Sequence, residues 1–366
     1  IRRVEAVNDT VNAITFRHFE SAMHGARDSE RRYREGVPLP LDGITVGVKD
    51  EHGLAGWTVT QGTRLREHAT LRRNDPIADK LVDAGAIFPF QTTVPELYLS
   101  PHTWSELWGV TRNPWNPAYS AGGSSGGSGA ALAAGMCTLA TGSDMGGSIR
   151  IPAALNGLYG FKPPYGRVPS LEVLLQIATG GPMARSLEDV ILMQNAICGP
   201  HPASPTTIRP AVELPLEHEP VSGLRIAFSP DLGWARIDRD TRANTDRAVE
   251  ALRSAGAQVE PIALELGWTG DELRSTFDEA LLAGSFGAVL ADLPDDGRLT
   301  AYARDLAHRA RKGYGAREIH RLDRMTRETH RRMTEQVFAA GYDSLVVPTL
   351  STSHVPADHD HSHDAI

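Results

Sequence analysis

Three short segments of the chain carry side chains whose types and spacing could do chemistry. Lys49 closes the apolar stretch ITVGVK, Ser124 stands in the run GGSSGGS at 122–128, and Ser148 follows two glycines in GSDMGGSIR at 142–150. A serine hydroxyl becomes a nucleophile when a neighbouring base takes its proton. A lysine can be that base once burial has lowered its pKa. The three segments therefore suggest the hypothesis of nucleophilic catalysis by a serine, with a lysine as the base.

Each segment also has a structural explanation that the residues leave open. Lys49 can form an ion pair with the adjacent Asp50, because buried ions are usually paired. The run at 122–128 can be a flexible linker, since Gly/Ser runs often are. Ser148 can be a helix N-cap. Against the linker, the apolar stretch AALAAGM that follows the run favours burial. For Ser148, glycines before a serine at a strand-to-helix turn expose N–H groups that an oxyanion requires.

Two motif interpretations of the run at 122–128 are excluded by its context. It contains G-x-S-x-G twice, but a nucleophile elbow needs a strand immediately before it, and NPWNPAYSA is not a strand pattern. A phosphate-binding loop would need Lys-Ser or Lys-Thr at the proper offset, which is missing here.

The elements that must position these residues alternate between strands and helices. LDGITVGVKD is typical of a buried strand, and DPIADKLVDAGAIFPF predicts a helix that begins at Asp75 and Pro76, then a strand after Gly85. AALAAGMCTLATGSD predicts a small-residue helix and a short strand, and the first 36 residues predict exposed helices. LRIAFSPD, the helix that follows and QVEPIAL predict a second strand–helix–strand unit. The pattern indicates an α/β fold with a mainly parallel or mixed sheet.

Composition limits the classes of partner and compartment. The net charge of −8 over 366 residues argues against nucleic acid as a partner. No apolar run of about 18 residues occurs, which predicts no membrane span, and the start at Ile1 has no leader pattern. Cys137 and Cys198 have no metal-ligand or disulfide spacing, so we expect two buried free thiols and a cytoplasmic protein.

Taken together, the segments resemble the amidase signature family. The resemblance rests on motifs across most of the chain: VGVKD at 46–50, DAGA at 83–86, TRNPWNP at 111–117, GGSSGGSGAALAAG at 122–135, GSDMGGSIRIPAALNGLYGFKPPYGRVP at 142–169 and GPMARSLED at 181–189. It implies a large mixed β-sheet covered by helices on both faces. It also implies hydrolysis of a small-molecule amide through an acyl-enzyme, without a metal or organic cofactor, by a protein that could be a homodimer.

The resemblance also implies a role for each site residue. Lys49 corresponds to the base, Ser124 to the bridging cis-serine and Ser148 to the nucleophile. The expected oxyanion hole consists of backbone N–H groups, those of Met145, Gly146, Gly147 and Ser148. The whole chain, 1–366, is expected to be one amidase signature domain. Its expected parts are a catalytic segment at 1–198, a surface connection at 199–222 and a second α/β segment at 223–366.

Some positions depart from the family pattern. Relatives commonly read G-K-T-N where this chain has Phe90-Gln91-Thr92-Thr93, and they continue beyond the strand that resembles DSLVVPTL, so we expect the chain to be truncated. The histidines in the final DHDHSHD, His359, His361 and His363, could chelate a metal, but the segment has no apolar residue to dock it and predicts a solvated terminus.

Two other functions remain as alternatives. One is the glutamine-hydrolysing subunit of a tRNA-dependent amidotransferase, which shares the triad; the other is a non-catalytic binding or scaffold protein that has kept the fold. Aromatic residues expected near the active site weakly favour an aryl or otherwise apolar acyl group: Tyr98, Trp104, Trp108 and Trp115.

Overall fold

The computed structural model describes residues 1–171 and 177–359. Helices of the described residues are α1 Arg2–Val11, α2 Phe19–Glu35, α3 Pro76–Asp83, α4 Gly126–Ala133, α5 Arg150–Asn156, α6 Leu187–Ile197, α7 Arg239–Ser254, α8 Gly270–Ala283, α9 Ser285–Ala291, α10 Ala301–Arg311 and α11 Ala316–Met333. Strands of the same residues are β1 Ile14–Arg17, β2 Thr45–Lys49, β3 Ile87–Thr92, β4 Trp104–Ser105, β5 Gly109–Val110, β6 Leu139–Asp144, β7 Tyr159–Gly160, β8 Thr179–Ala184, β9 Arg225–Phe228, β10 Gln258–Pro261 and β11 Ser344–Val346.

The main sheet has the strand order β1-β3-β2-β6-β8-β7. β2 is parallel to both of its neighbours, β3 and β6, whereas the outer pairs β1–β3, β6–β8 and β7–β8 are antiparallel. The sheet is therefore mixed, and the predicted fold class is confirmed. β2 is central and carries Lys49 at its carboxyl end, next to the ends of β3 and β6.

Helices cover both faces of this sheet. On one face, residues of α4 and α5 share a core cluster with β3 through Leu132, Ala153 and Phe90. On the other face, α3 and α6 pack against β2, where Leu81 and Met193 share a cluster with Val48. Because β2 is covered on both sides, its residues are almost continuously apolar, as strands buried on both faces usually are.

The local signals around α3 act as the sequence predicts. The Asp75 carboxylate accepts a hydrogen bond of 2.9 Å from the Ile77 N–H, and Pro76 is the first helical residue, where its missing N–H costs nothing. The chain then turns at Gly85, whose φ of +87° suits glycine. The predicted buried strand follows as β3, every residue of which is buried.

The prediction for the N-terminal stretch is partly wrong. α1 and α2 are helices, but Ile14–Arg17 between them is the edge strand β1, which pairs antiparallel with β3. Its Ile14 is buried against the sheet core. Pairing with β3 satisfies backbone groups at the sheet edge, and this tertiary gain outweighs a local charge pattern that suits a helix.

The described chain groups into two compact units. Of the described residues, one unit holds those within 1–216, 295–304 and 355–359, and the other holds 217–294 and 305–354. The first boundary lies within the stretch 199–222 that the sequence marks as a surface connection. The second unit has its own parallel sheet, β10-β9-β11, with α7 packed on it through Val249, so the predicted strand–helix–strand unit is present.

Candidate active site

The Gly/Ser run at 122–128 is buried throughout. A Cβ on Gly123 would lie 2.9 Å from Ser100 O and from the Pro101 carbonyl carbon, so only glycine allows this approach of the two backbones. The Gly123–Ser124 peptide bond is cis, and α4 begins two residues later at Gly126. The linker interpretation is therefore wrong, and the described residues just before Ser124 form no strand, as the exclusion of a nucleophile elbow requires.

Lys49 extends from the end of β2 to the buried run. Its side chain is 0% exposed, and Nζ lies 3.0 Å from Ser124 Oγ and 2.7 Å from Ser143 Oγ. The backbone N–H of Lys49 donates to Thr141 Oγ1 at 2.8 Å, which ties the strand end to β6. Two of the three residues predicted for the triad are thus in hydrogen-bond contact.

The ionic partner of Lys49 is Glu51 and not Asp50. Glu51 Oε2 lies 3.0 Å from Lys49 Nζ, whereas the Asp50 carboxylate accepts the Thr60 N–H at 3.0 Å and is also bonded by the Thr60 hydroxyl. β2 ends at Lys49, and the N–H groups of Glu51 and His52 turn back to Lys49 O at 2.6 and 2.9 Å. This turn brings the Glu51 side chain back to Nζ, and the strand pattern of the sequence does not predict it.

Ser148 lies in the turn between β6 and α5. The N-cap of α5 is Ile149, without a side-chain capping bond, so the structure does not use Ser148 as a helix cap. The Ser125 N–H donates to Ser148 O at 3.2 Å, which joins the Ser148 turn to the run that holds Ser124. A backbone hydrogen bond therefore joins the segment that contains Ser148 to the segment that contains Ser124.

Asp144 organises the turn around Ser148. Its carboxylate accepts hydrogen bonds from Gly147 N at 2.8 Å and Ile149 N at 3.2 Å and forms a two-point pair with Arg150, 2.8 Å at each contact. The Gly147 N–H is therefore engaged. Within residues 1–171 and 177–359 no acceptor is found for the N–H groups of the other predicted oxyanion donors, which are Met145, Gly146 and Ser148.

Comparison with known proteins agrees with this architecture. The family model described as Amidase matches residues 1–365. The chain belongs to the amidase signature family. It is an amide hydrolase that acts on C–N bonds other than peptide bonds, as the sequence predicted.

Its similarity to individual relatives covers different shares of their lengths. An acylamidase of Rhodococcus erythropolis is 33% identical over 97% of this chain and 75% of its own length. A glutamyl-tRNA(Gln) amidotransferase subunit of Salinibacter ruber is 36% identical over 72% of this chain and 52% of its own length, so the match spans about half of that relative. A bacterial aryl acylamidase structure superposes with a TM-score of 0.85 at 25% identity, covering 98% of this chain and 76% of the other.

Burial and neighbouring charges have opposite effects on the pKa of Lys49. Burial lowers the pKa of Lys49 below its ordinary value, and the charges of Glu51 and Asp144 raise it in part. Burial alone would raise the pKa of Asp144, but the hydrogen bonds and charge of Arg150 with the turn N–H groups bring it below its ordinary value. Lys49 therefore gives up its proton more readily than an exposed lysine, and Asp144 is a stronger acid than an exposed aspartate.

Of the four aromatic residues predicted near the site, Tyr98 lies against Lys49. Lys49 Nζ stands 5.0 Å from the centre of its ring. Trp108 instead packs edge-on against Phe16 and donates to Thr60 Oγ1, and Trp104 packs edge-on against Tyr302. Trp115 is 75% exposed. The structure therefore does not gather these rings into one aromatic wall, because each indole is held by partners of its own.

The remaining sequence expectations concern thiols, metals and membranes. Cys137 and Cys198 are buried and free, as expected, and burial raises the pKa of Cys137 to about 12. In the described part of the chain, no cluster of His, Cys, Asp and Glu side chains could hold a metal ion. His361 and His363 lie outside the described residues. Among the described helices, none is long and apolar enough to cross a bilayer.

Proposed function

We propose that this amidase hydrolyses a carboxamide through a Ser148–Ser124–Lys49 triad and an ester on Ser148. The observation that carries the proposal is the 3.0 Å contact between Ser124 Oγ and the Nζ of a fully buried lysine. A neutral amine at Lys49 Nζ can accept the hydroxyl proton of Ser124, and Ser124 can in turn accept the hydroxyl proton of Ser148 as Ser148 attacks.

The proposed reaction balances its protons within the triad. Ser148 Oγ attacks the amide carbon and gives its proton to Ser124, while the proton of Ser124 passes to neutral Lys49. The N–H groups of Met145, Gly146 and Ser148 stabilise the oxyanion. The sequence prediction included Gly147, whose N–H already donates to Asp144 and supports the turn. The C–N bond then breaks as the relay returns the proton to the leaving nitrogen.

Water completes the cycle. The relay takes a proton from a water molecule as its oxygen attacks the ester carbon, the acid leaves, and Ser148 regains its proton from Ser124. The products are a carboxylic acid and ammonia or an amine. The acylamidase of Rhodococcus erythropolis and the aryl acylamidase structure support an acyl amide with an aryl or apolar group as the substrate class.

Removal of single hydroxyls tests this function. Ser148→Ala and Ser124→Ala are each expected to lower kcat/KM by about 10³-fold or more on an acyl anilide or a primary amide, with product amine or ammonia measured. Ser128→Ala is the matched control in the same buried run, since its hydroxyl bonds Thr92 and Thr141 rather than Lys49. Retention of parent activity by Ser148→Ala would remove that residue from its role.

The glutaminase of a tRNA-dependent amidotransferase is the second candidate. It is favoured by the 36% identity to the amidotransferase relative from Salinibacter ruber. Release of ammonia from free glutamine, compared with amine release from acyl anilides, separates the two. Glutamine turnover that exceeds anilide turnover would favour the glutaminase, and no turnover of any amide would favour a scaffold protein.

A further inference from the structure

Glu51 lies where it can act on the base of the triad. Its Oε2 is 3.0 Å from Lys49 Nζ and accepts the hydroxyl proton of Ser143, and Ser143 Oγ itself lies 2.7 Å from Nζ. The three side chains form a closed triangle. Lys49 is 0% exposed in this triangle, while Glu51 keeps 28% of its side-chain surface accessible, so the carboxylate lies between the buried amine and water.

The contacts of Nζ fit both protonation states of the amine. Nζ has three polar neighbours, Ser143 Oγ, Glu51 Oε2 and Ser124 Oγ, and an ammonium ion donates one N–H to each of them. A neutral amine has two N–H bonds and one lone pair to distribute among the same three neighbours. Glu51 is an acceptor only, because an ionised carboxylate has no proton to donate. Ser143 already gives its one proton to Glu51, so it must accept from Nζ. In the neutral state both N–H bonds are thereby assigned to Ser143 and Glu51, and the lone pair is left to accept the hydroxyl proton of Ser124; in the protonated state Nζ donates to Ser124 Oγ instead.

The same carboxylate suits the other state of the relay. When Lys49 takes the proton of Ser124 it becomes an ammonium ion without water around it, and a buried ion without a partner is strongly destabilised. A carboxylate at 3.0 Å supplies the opposite charge through a charge-assisted hydrogen bond.

We propose that Glu51 is a positioning residue that directs the lone pair of Lys49 toward Ser124 and neutralises the ammonium ion formed during the relay. The proposal rests on the function proposed above and adds a fourth side chain to it. Glu51 acts through Lys49 and is not assigned any contact with the substrate.

The charged groups around the pair determine how pH should reveal this role. Glu51 raises the pKa of Lys49 against the larger effect of burial, and Asp144 from β6 acts in the same direction. The Tyr98 ring faces Nζ from the turn after β3. His52, paired with Asp75 at 3.2 Å, is the next charged neighbour of Glu51, and Asp50 points toward Thr60. Burial raises the pKa of Glu51, and the charge of protonated Lys49, with that of His52, outweighs burial and lowers it below its ordinary value.

The test measures the reactivity of Ser148 without an amide substrate. A fluorophosphonate phosphonylates an activated serine and releases fluoride, and mass spectrometry locates the label on Ser148. The labelling rate is followed against pH in the parent, Glu51→Gln, Glu51→Asp and Lys49→Arg. Glu106→Gln is the control, since Glu106 is a surface residue that pairs with Arg64.

We expect the rate in the parent to rise with pH as Lys49 loses its proton. In Glu51→Gln the midpoint of this rise should move down by about 1 pH unit or more, because the raising charge is gone. The plateau should fall by about tenfold, since a weaker base accepts the proton less readily. Glu51→Asp keeps the charge on a shorter arm, so its midpoint should stay close to that of the parent. Glu106→Gln should match the parent in both quantities.

The outcomes separate this inference from the proposed function. If Ser148 is labelled in the parent and not in Lys49→Arg, while Glu51→Gln keeps the midpoint and plateau of the parent, Glu51 has no role and the triad stands. If Glu51→Asp shifts as far as Glu51→Gln, charge is not what matters and the inference is overturned. If Ser148 is not labelled in the parent at all, the triad itself fails. Should Glu51→Gln not fold, Glu51→Asp decides alone: a lowered plateau with a near-parent midpoint supports the role, and a rate equal to the parent overturns it.

Discussion

Lys49 Nζ and Ser124 Oγ lie 3.0 Å apart although 75 residues separate them in the chain. The lysine ends the central strand of the main sheet, and the serine lies in a buried glycine-rich turn just before α4. Because the lysine is 0% exposed, this contact is shielded from water. In the proposed relay, the protonation state of the amine determines whether Ser124 can pass its proton to Lys49.

Activity should therefore depend on pH through Lys49. Burial lowers the pKa of Lys49 below its ordinary 10.5, so kcat/KM should rise with pH and reach its plateau at a pH below that of an exposed amine. Lys49→Arg should lower kcat/KM by about 10³-fold at every pH, because guanidinium does not lose its proton in this range. Steady-state rates from pH 5 to about 10 check both statements. An active Arg variant would show that position 49 supplies charge only, and the proton relay would be wrong.

An acyl group on Ser148 should be open to capture by an added nucleophile. With hydroxylamine present during turnover, part of the product is expected to be a hydroxamate, because hydroxylamine competes with water for the ester. The hydroxamate is measured by its ferric complex. Normal hydrolysis with no hydroxamate, at hydroxylamine concentrations that do not inhibit, would instead indicate direct attack by water.

The turn after α3 should tolerate no side chain at Gly85. An added Cβ would lie 2.9 Å from Leu39 Cβ and 3.1 Å from Asp42 Cγ, at a φ of +87°. The Asp42 side chain cannot move away from the added Cβ, because its carboxylate accepts hydrogen bonds from Arg32, Ser29 and the Leu39 N–H. Gly85→Ala is expected to lower the free energy of unfolding by about 2–4 kcal/mol in urea titration, which combines backbone strain with overpacking.

Gly36 provides the matched control for that variant. Its φ is +76°, but an added Cβ would meet nothing within 4 Å. Gly36→Ala should therefore cost only the backbone strain, about 1 kcal/mol. Equal losses in the two variants would mean that the contact with Asp42 and Leu39 has no effect.

Asp50 should make the stability of the fold depend on pH. Burial, only partly opposed by hydrogen bonds from Thr60 and Gly62, raises the pKa of Asp50 from 3.8 to about 7. The folded state therefore holds this proton more tightly than the unfolded state, so the contribution of Asp50 is complete below pH 3.8 and is lost as the pH rises toward about 7. Asp50→Asn removes this dependence. Relative to the parent it should gain up to about 4 kcal/mol in free energy of unfolding between pH 4 and pH 8.

The difference in free energy of unfolding between the parent and Asp42→Asn is expected to depend on pH in the opposite direction to that for Asp50→Asn. The hydrogen bond from Arg32, supported by those from Leu39 and Ser29, outweighs burial and holds the pKa of Asp42 well below its usual range. Its stabilising contribution is therefore present above the unfolded pKa and is lost as the pH falls. Urea titrations of both variants and the parent from about pH 2 to pH 8 check the two signs, because the Asp42 contribution changes only below its ordinary pKa of 3.8 and the Asp50 contribution changes above 3.8. Parallel curves for Asp50→Asn and the parent would contradict the assigned shift of Asp50.

Local pattern was sufficient for most elements that position the site. β2, α3 and β3 follow from an apolar run, an Asp-Pro start and a glycine turn, each of which acts within a few residues. The local sequence pattern was insufficient for the strand Ile14–Arg17, because a strand at a sheet edge is stabilised by a partner strand that is distant in sequence. Residue Ile14 pairs with Thr92, and no pattern near residue 14 contains that information.

The amino-acid sequence by itself determined the family, the fold class and the three side chains of the proposed triad, because these depend on residue types and on motifs that are contiguous in the chain. The tertiary structure alone decided which groups face them. It paired Lys49 with Glu51 and turned Asp50 toward Thr60, engaged the Gly147 N–H with Asp144, and placed Tyr98 but not Trp115 beside Lys49. These choices depend on side-chain direction and on burial. Both are properties of packing between segments far apart in sequence, and no single segment encodes them.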